Sequence, residues 1–139
     1  MKKVIAFVLF VIATCSISCS QTAVNSSEES VFGPSIEFEM LKHDFGALQQ
    51  GGDGTVNFIF TNTGTEPLIL SNVRSSCGCT VPEWPREPIN AGQSAAILVK
   101  YDTRRVGSFN KSISVYTNAS ETPIVLRISG KVEAKQAAD

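Results

Sequence analysis

The chain has 139 residues, of which 42% are hydrophobic and 18% are charged, and these values are typical of one globular domain rather than of a disordered chain. Twelve basic residues nearly balance thirteen acidic ones. This balance excludes a broad positive field of the kind that gathers nucleic acid or anionic lipid, so no nucleic-acid partner is expected.

Residues 1–18 have the pattern of an export signal. Lys2 and Lys3 precede an apolar run over residues 4–13, and small polar residues follow before Cys19. The apolar run is too short for a membrane-spanning helix, which needs about twenty residues. The segment therefore predicts an exported protein rather than one held by a retained helix.

Cys19 is the predicted lipidation site. The sequence Ser16-Ile17-Ser18-Cys19 is similar to the cleavage box of bacterial lipoproteins, in which the cysteine becomes the lipidated first residue. A plain secretory signal is the alternative, because Ser16 stands where the box usually has Leu, Val or Ile. A second possible box, Ile12-Ala13-Thr14-Cys15, matches less well because it places Thr14 at the cut. Ser20 resembles the pattern of lipoproteins sent to the outer membrane, so we expect a periplasm-facing protein that contacts the membrane through an N-terminal lipid.

Residues 19–34 read as a flexible tether. Their composition is polar and small, and no apolar period of 2 or 3.6 can be traced through the Ser-Ser-Glu-Glu-Ser run at 26–30. The tether would hold the folded domain a short distance from the membrane.

Residues 35–134 have the pattern of an all-β domain, and residues 135–139 form a tail. Short β-rich runs are separated by Gly, Pro, Asn and Asp, and helical signals are absent. The size and strand number predict an immunoglobulin-like antiparallel β-sandwich of about seven strands. The predicted runs are 36–41, 55–61, 68–74, 95–101, 109–117 and 123–132, with a short piece at 79–81.

Apolar residues alternate with polar ones in several of these runs. Alternation places apolar side chains on one face of a strand, because successive strand residues point to opposite faces. Each strand then has one buried and one wet face, as two packed antiparallel sheets require. The residues predicted to face the core are Val56, Phe58, Phe60, Ile97, Val99, Tyr101, Ile113, Val115, Ile124, Leu126, Ile128 and Val132.

Three motifs resemble a known bacterial family. They are Asp-Phe-Gly at 44–46, Asn-Thr-Gly at 62–64 and Ser-Cys-Gly-Cys-Thr at 76–80. Over about residues 36–132 the chain resembles domain-of-unknown-function family 1573, which is common in exported proteins of the Bacteroidetes. The resemblance implies an immunoglobulin-like fold in secreted or lipid-anchored proteins, and it implies no activity.

Cys77 and Cys79 are the only cysteines left in the domain once the signal and Cys19 are set aside. Residues two apart on an extended strand lie about 6.6 Å from each other, near the upper limit for a disulfide, and Gly78 can kink the chain between them. Three interpretations remain open. They are a structural disulfide or inert thiol pair, a soft-metal site for Cu(I), and a redox-active dithiol.

Trp84 and Pro85 are the predicted partner-binding residues. They lie in a segment with three prolines in seven residues, which predicts a loop rather than a continuous strand. In one interpretation Trp84 caps the core, and in the other it is an exposed anchor for a partner.

The sequence supports no enzymatic function and no cofactor. His43 is the single histidine, and no nucleophile stands in a recognisable pattern with it; Asp44 is expected to accept backbone hydrogen bonds at a turn before Phe45 packs inward. Two functions remain. One is a binding or scaffolding module of the bacterial cell envelope that recognises another envelope protein, and the other is a thiol-dependent factor that binds copper or exchanges disulfides through Cys77 and Cys79.

Overall fold

The computed structural model describes residues 32–136, in which the chain forms eight β-strands and no helix. Accordingly, this range offers no helix that is long and apolar enough to cross a membrane. The strands are β1 (Ile36–Phe38), β2 (Lys42–Gln49), β3 (Thr55–Asn62), β4 (Leu70–Ser75), β5 (Thr80–Glu83), β6 (Ser94–Tyr101), β7 (Gly107–Thr117) and β8 (Ser120–Glu133).

The strands form two four-stranded sheets. Sheet A has the order β1-β3-β6-β5, and sheet B has the order β2-β8-β7-β4. The predicted all-β sandwich is confirmed, with eight strands in the described residues instead of about seven.

The inward faces of both sheets form one core. The alternating side chains of β3, β6, β7 and β8 are buried, and the rings of Tyr101 and Phe109 stack across the sheets with centroids 3.8 Å apart. The predicted core residues are confirmed as buried, except that Ile124 is only half-buried. Period-2 alternation therefore identified the core correctly, because only one face of each sheet meets the other sheet.

The predicted run at 36–41 is wrong in its extent. β1 ends at Phe38, the chain crosses to sheet B, and β2 pairs in parallel with β8, so sheet B is mixed, whereas every other strand pair is antiparallel. β2 has no clean alternation to predict it, because its register shifts between Asp44 and Ala47, where Gly46 has a φ of +62°. Asp44 Oδ1 accepts the Gly46 amide at 2.9 Å, and Phe45 is half-buried against the core.

Pro82 lies inside strand β5, although the three prolines of this segment predicted a loop rather than a strand. β5 is an edge strand, and Pro82 lies opposite Val99 of β6. The Asp102 amide donates to the Cys79 carbonyl at 2.8 Å, and hydrogen-bonded pairs alternate along an antiparallel ladder. The nitrogen of Pro82 therefore faces the open edge, where a missing N–H costs no ladder bond and discourages a further strand from pairing.

Asn62, the first residue of the Asn-Thr-Gly motif, is fully buried and joins three segments. Its amide nitrogen donates to the Glu66 carbonyl at 2.8 Å and to the Ile89 carbonyl at 2.9 Å. Its Oδ1 accepts the amides of Gly64 at 3.0 Å and Ser35 at 3.3 Å. All hydrogen-bonding positions of the side-chain amide are used, as a buried polar group requires.

The predictions for residues 1–31 and 137–139 lie outside the described residues. They comprise the export signal at 1–18, lipidation at Cys19, most of the tether at 19–34 and the last part of the tail at 135–139. Near the end of the predicted tether, the Gly33 carbonyl accepts the Thr65 amide at 2.8 Å. The strands themselves span residues 36–133.

Candidate functional site

The Cys77-Gly78-Cys79 segment connects β4 of sheet B to β5 of sheet A, and we call it the CGC hairpin. In the structure the two sulfur atoms are bonded, and the Cα atoms lie 5.3 Å apart. This separation is shorter than the extended-strand distance and falls within the range of ordinary disulfides. The φ of Gly78 is not in the left-handed region, and a Cβ built on Gly78 meets nothing within 4 Å. The kink therefore does not use the left-handed backbone that favours glycine.

Hydrogen bonds fix the CGC hairpin to both sheets. The Ser75 hydroxyl lies 2.5 Å from the Cys77 carbonyl and 2.8 Å from the Thr80 carbonyl. The Ser76 amide donates to the Ser112 carbonyl at 2.8 Å, which ties the hairpin to β7. Since the Cys79 carbonyl is also bound by sheet A, the backbone is held at several points besides the disulfide.

The two cysteine residues differ in accessibility. Cys77 is half-buried, Gly78 is exposed and Cys79 is 6% exposed. The hypothesis of thiol chemistry fails if both cysteines are covered by the Trp84 segment. Cys77 is half-buried and packs against the core, so the burial of the two residues does not by itself exclude thiol chemistry at Cys77.

An open cleft of about 840 Å³ lies beside the CGC hairpin, and we call it the hairpin cleft. Its walls are the loop at 51–55, residues 78–79 of the hairpin and the segment at 100–104, together with Val81 and Glu83 of β5. Sequence reasoning identified the cysteines but missed the other walls, because they come from three distant segments. Their only local signal is the glycine-rich run at 51–54.

Two of these walls are tied together. The Thr103 hydroxyl donates to the Gly52 carbonyl at 2.6 Å, and the Gly51 amide donates to the Thr103 carbonyl at 3.1 Å. Gly54 allows this contact, since a Cβ there would lie 2.7 Å from Thr103 Cγ2 and 2.9 Å from the Tyr101 carbonyl oxygen. The cleft therefore has a fixed shape on this side.

Asp102 gives the cleft a fixed charge pair. Arg104 Nε lies 2.8 Å from Asp102 Oδ1, and Arg105 Nε lies 3.9 Å from Oδ2. The hydrogen bond from Arg104 lowers the pKa of Asp102, and the same bond raises the pKa of Arg104. Both side chains are exposed enough for solvent to screen them, so the pair orients the turn more than it stabilises the fold.

Trp84 lies against the core and does not line the hairpin cleft. It is half-buried, its indole Nε1 is buried without a hydrogen-bond partner, and the Arg86 guanidinium lies 3.8 Å from the ring centroid. Pro85 is half-buried beside it. The structure thus places Trp84 as the core-capping interpretation describes, and a partner-binding role for Trp84 and Pro85 stays a prediction.

His43 and the cysteines do not meet in the structure. His43 packs edge-on against Phe45, with ring centroids 4.5 Å apart, on β2 of sheet B. Within residues 32–136, no group of three or more His, Cys, Asp and Glu side chains is arranged to hold a metal ion. A copper site would therefore rest on Cys77 and Cys79 alone, and it would need the disulfide to be reduced.

The sandwich belongs to a class of domains that is shared across distant organisms. It is similar to the PapD-like domain 7 of human CEP192, with a TM-score of 0.59 and 10% identity, covering 73% of this chain and 87% of that one. It is also similar to a chain in the structure of the CsuC–CsuE chaperone–tip adhesion subunit pre-assembly complex of Acinetobacter baumannii, with a TM-score of 0.52 and 9% identity, covering 73% of this chain and 57% of that one. At these identities the likeness shows the fold alone, which is an immunoglobulin-like, PapD-like sandwich.

Within this class, the chain belongs to the family described as protein of unknown function (DUF1573), whose model matches residues 36–132. The resemblance drawn from the motifs is confirmed. A protein of unknown function from Porphyromonas gingivalis W83 has a similar fold, with a TM-score of 0.64 and 18% identity over 73% of this chain and 48% of that one. The chain thus spans about half the length of that protein. No curated protein matches the sequence.

Proposed function

We propose that this protein is a non-enzymatic binding module of a bacterial cell envelope, and that the hairpin cleft receives its partner. The observation that carries the proposal is the cleft itself, which has about 840 Å³ of open volume between walls that hydrogen bonds hold in place. A preformed concave surface is the usual form of a binding site. The PapD-like fold supports the same class of function, since such sandwiches present loops and strand edges from a rigid scaffold.

The composition of the cleft favours an extended peptide segment as the bound group. Four glycines line it, at positions 51, 52, 54 and 78, and they leave backbone groups within reach of a ligand backbone. Glu83 and Lys100 project on the sheet A side of the cleft and would select among charged side chains of the peptide. The proposed partner is therefore another envelope protein that presents a loop or a terminus.

Site-specific crosslinking in intact cells tests this proposal. A photo-reactive residue replaces Val81, which lines the cleft and is 55% exposed, or Val125, a control on the outer face of sheet B that is 42% exposed. We expect one protein to be captured from position 81 and not from position 125. Adding Gly78→Phe should abolish capture, because Gly78 lines the cleft and a phenyl group at this position would occupy it. The fold should not be disturbed, since a Cβ on Gly78 meets nothing within 4 Å. Equal capture from both positions, or capture that survives Gly78→Phe, contradicts the proposal.

Export and lipid attachment at Cys19 complete the proposed function, with outer-membrane attachment facing the periplasm. They are supported by three features of residues 1–19, namely the positive charges of Lys2 and Lys3, the short apolar run and the cleavage box that ends at Cys19. Labelling cells with a fatty-acid analogue should mark the protein, Cys19→Ala should remove the label, and Cys15→Ala should keep it. A label that depends on Cys15, or no label with full secretion, would show that the lipid assignment is wrong.

A second candidate function is disulfide exchange or copper binding through the CGC hairpin. Cys77 is less buried than Cys79, which supports attack at Cys77: a partner thiolate would attack this sulfur and release Cys79 as the leaving thiolate. Cys79→Ser should then trap mixed disulfides at Cys77, while Cys77→Ser should not. Absence of adducts from Cys79→Ser, together with no Cu(I) retained by the reduced protein, would leave the disulfide a structural role only.

A further inference from the structure

A second concave site lies on the outer face of sheet B, on a different part of the molecule from the hairpin cleft. It is a pocket of about 300 Å³ lined by Lys42, His43, Asn110, Arg127 and Ser129. We call it the sheet B pocket. Besides His43, its lining contains two cationic side chains, two neutral hydrogen-bond donors and no carboxylate.

Strand register brings these side chains together. Lys42 of β2 lies opposite Arg127 of β8, and Asn110 of β7 lies opposite Ser129 of β8. Because Ile128 is fully buried, its neighbours Arg127 and Ser129 point away from the core, and their partners in register share that outer face. Adjacent strands are about 4.8 Å apart, so the two cations stand side by side at the mouth of the pocket.

This arrangement is unfavourable without a ligand. Like charges placed directly opposite on neighbouring strands repel each other. Among residues 32–136, no carboxylate oxygen lies within 4.0 Å of the charged groups of Lys42 or Arg127, whereas Lys131 on the same face is paired with Glu133 at 3.2 Å. The nearest acid along β2, Asp44, lies opposite Ser129 on the same outer face, but it does not line the pocket, and its Oδ1 accepts the Gly46 amide. Among the described residues, Lys42 and Arg127 therefore share one pocket without an ion-pair partner.

The donors of the pocket are also free to bind. Within the described part of the chain, the side-chain amide of Asn110 and the hydroxyl of Ser129 make no hydrogen bond to protein, and neither do Lys42 Nζ or the Arg127 guanidinium. A planar guanidinium, a lysine ammonium and two neutral donors around one cavity match a group with three or more charged oxygens. A carboxylate, with two oxygens, would leave donors unused.

We propose that the sheet B pocket is a binding site for a phosphate group, carried either by a lipid headgroup or by a free phosphate. Lys42 and Arg127 supply the charge, and Asn110 and Ser129 orient the remaining oxygens. The balanced net charge of the chain does not oppose such a site, because attraction at hydrogen-bond distance depends on the local side chains rather than on the sum over the protein.

Titration followed by NMR tests the site. The full chain in neutral detergent is titrated at constant ionic strength with inorganic phosphate, and separately with dihexanoyl phosphatidic acid below its micelle concentration. We expect saturable shifts of the amides at 42–44, 110–112 and 127–129. Arg127→Gln and Lys42→Gln should each weaken binding by about tenfold, as expected for the loss of one charged hydrogen bond.

Arg74→Gln is the matched control, because Arg74 is exposed on β4 of the same sheet and lies outside the pocket. It should change the affinity by less than about twofold. Tighter binding of inorganic phosphate identifies a free phosphate as the ligand, and tighter binding of phosphatidic acid identifies a headgroup. The proposal is overturned if neither probe gives localised shifts, or if Arg74→Gln weakens binding as much as Arg127→Gln does.

Discussion

The outer face of sheet B carries several cations, whereas apolar side chains are exposed on the outer faces of both sheets. Ile59 and Val81 are 36% and 55% exposed on sheet A, and Tyr116 and Val125 are 37% and 42% exposed on sheet B. On sheet B, Lys42, Arg74 and Arg127 are exposed among serine and asparagine side chains. The inner faces of the two sheets are alike, since both are filled with aliphatic and aromatic residues.

This difference shows which positions are free to carry function. Inward positions must fill one shared core at crystal-like density, so their chemistry is restricted to apolar side chains. Outward positions have no such restriction, and here they diverge between the two sheets. Comparing substitutions at buried and exposed positions, and on the outer faces of the two sheets, therefore tests which positions stabilise the fold and which are available for binding.

The largest effect is expected from the shared core. Phe58→Ala should lower the free energy of unfolding by about 3–5 kcal/mol, because Phe58 is fully buried and its removal leaves a cavity. Ile59→Ala, next to it on the outer face, should cost less than about 1 kcal/mol. Urea unfolding of both variants measures the difference. Equal losses would show that the outer face of sheet A is covered in the protein.

A smaller loss is expected at Trp84, beyond the end of β5. Trp84→Ala should lower the unfolding free energy by about 2 kcal/mol, less than at a fully buried site, because the ring is half-buried against the core. Arg86→Ala removes only the contact with the ring and should cost about 0.5–1 kcal/mol. A melting temperature unchanged by Trp84→Ala would instead support the predicted partner anchor.

Two glycines should respond differently to alanine. A Cβ on Gly130 would lie 2.9 Å from the Phe109 ring and 3.1 Å from the Gly46 carbonyl oxygen, so Gly130→Ala should cost about 1–3 kcal/mol. Gly78→Ala should leave stability unchanged or raise it by up to about 1 kcal/mol, because its Cβ meets nothing within 4 Å. Thermal unfolding of the two variants checks this contrast, and a destabilising Gly78→Ala would contradict the geometry of the CGC hairpin.

The smallest effect concerns the cationic face. Without phosphate, Arg127→Gln should raise the unfolding free energy by about 0.5 kcal/mol, because it relieves repulsion from Lys42. Lys100→Gln on sheet A should give no gain, since Lys100 lies opposite Thr55 and Val81. Added salt should remove the gain. Unfolding in low-salt buffer is the measurement, and a loss of stability in Arg127→Gln would show that its charge is compensated.

Most of the core was predictable because burial follows a local rule. Val56, Phe58 and Phe60 recur every second residue, and any sheet that covers one face of this strand buries all three. The candidate site was less predictable. The cysteines stood out by their chemistry, but Thr103 and Glu83 reach the hairpin cleft only through contacts between distant segments.

The sequence by itself determined the period of the strands, the turn positions, the family motifs and the one pair of cysteines in the domain. The tertiary structure decided the parallel pairing of β2 with β8, the burial of Asn62 and the meeting of Lys42 with Arg127. The physical reason is the sequence separation over which each interaction acts. Alternation and turn chemistry depend on residues that are a few positions apart. Register between strands that are far apart in sequence is set by packing of the whole core.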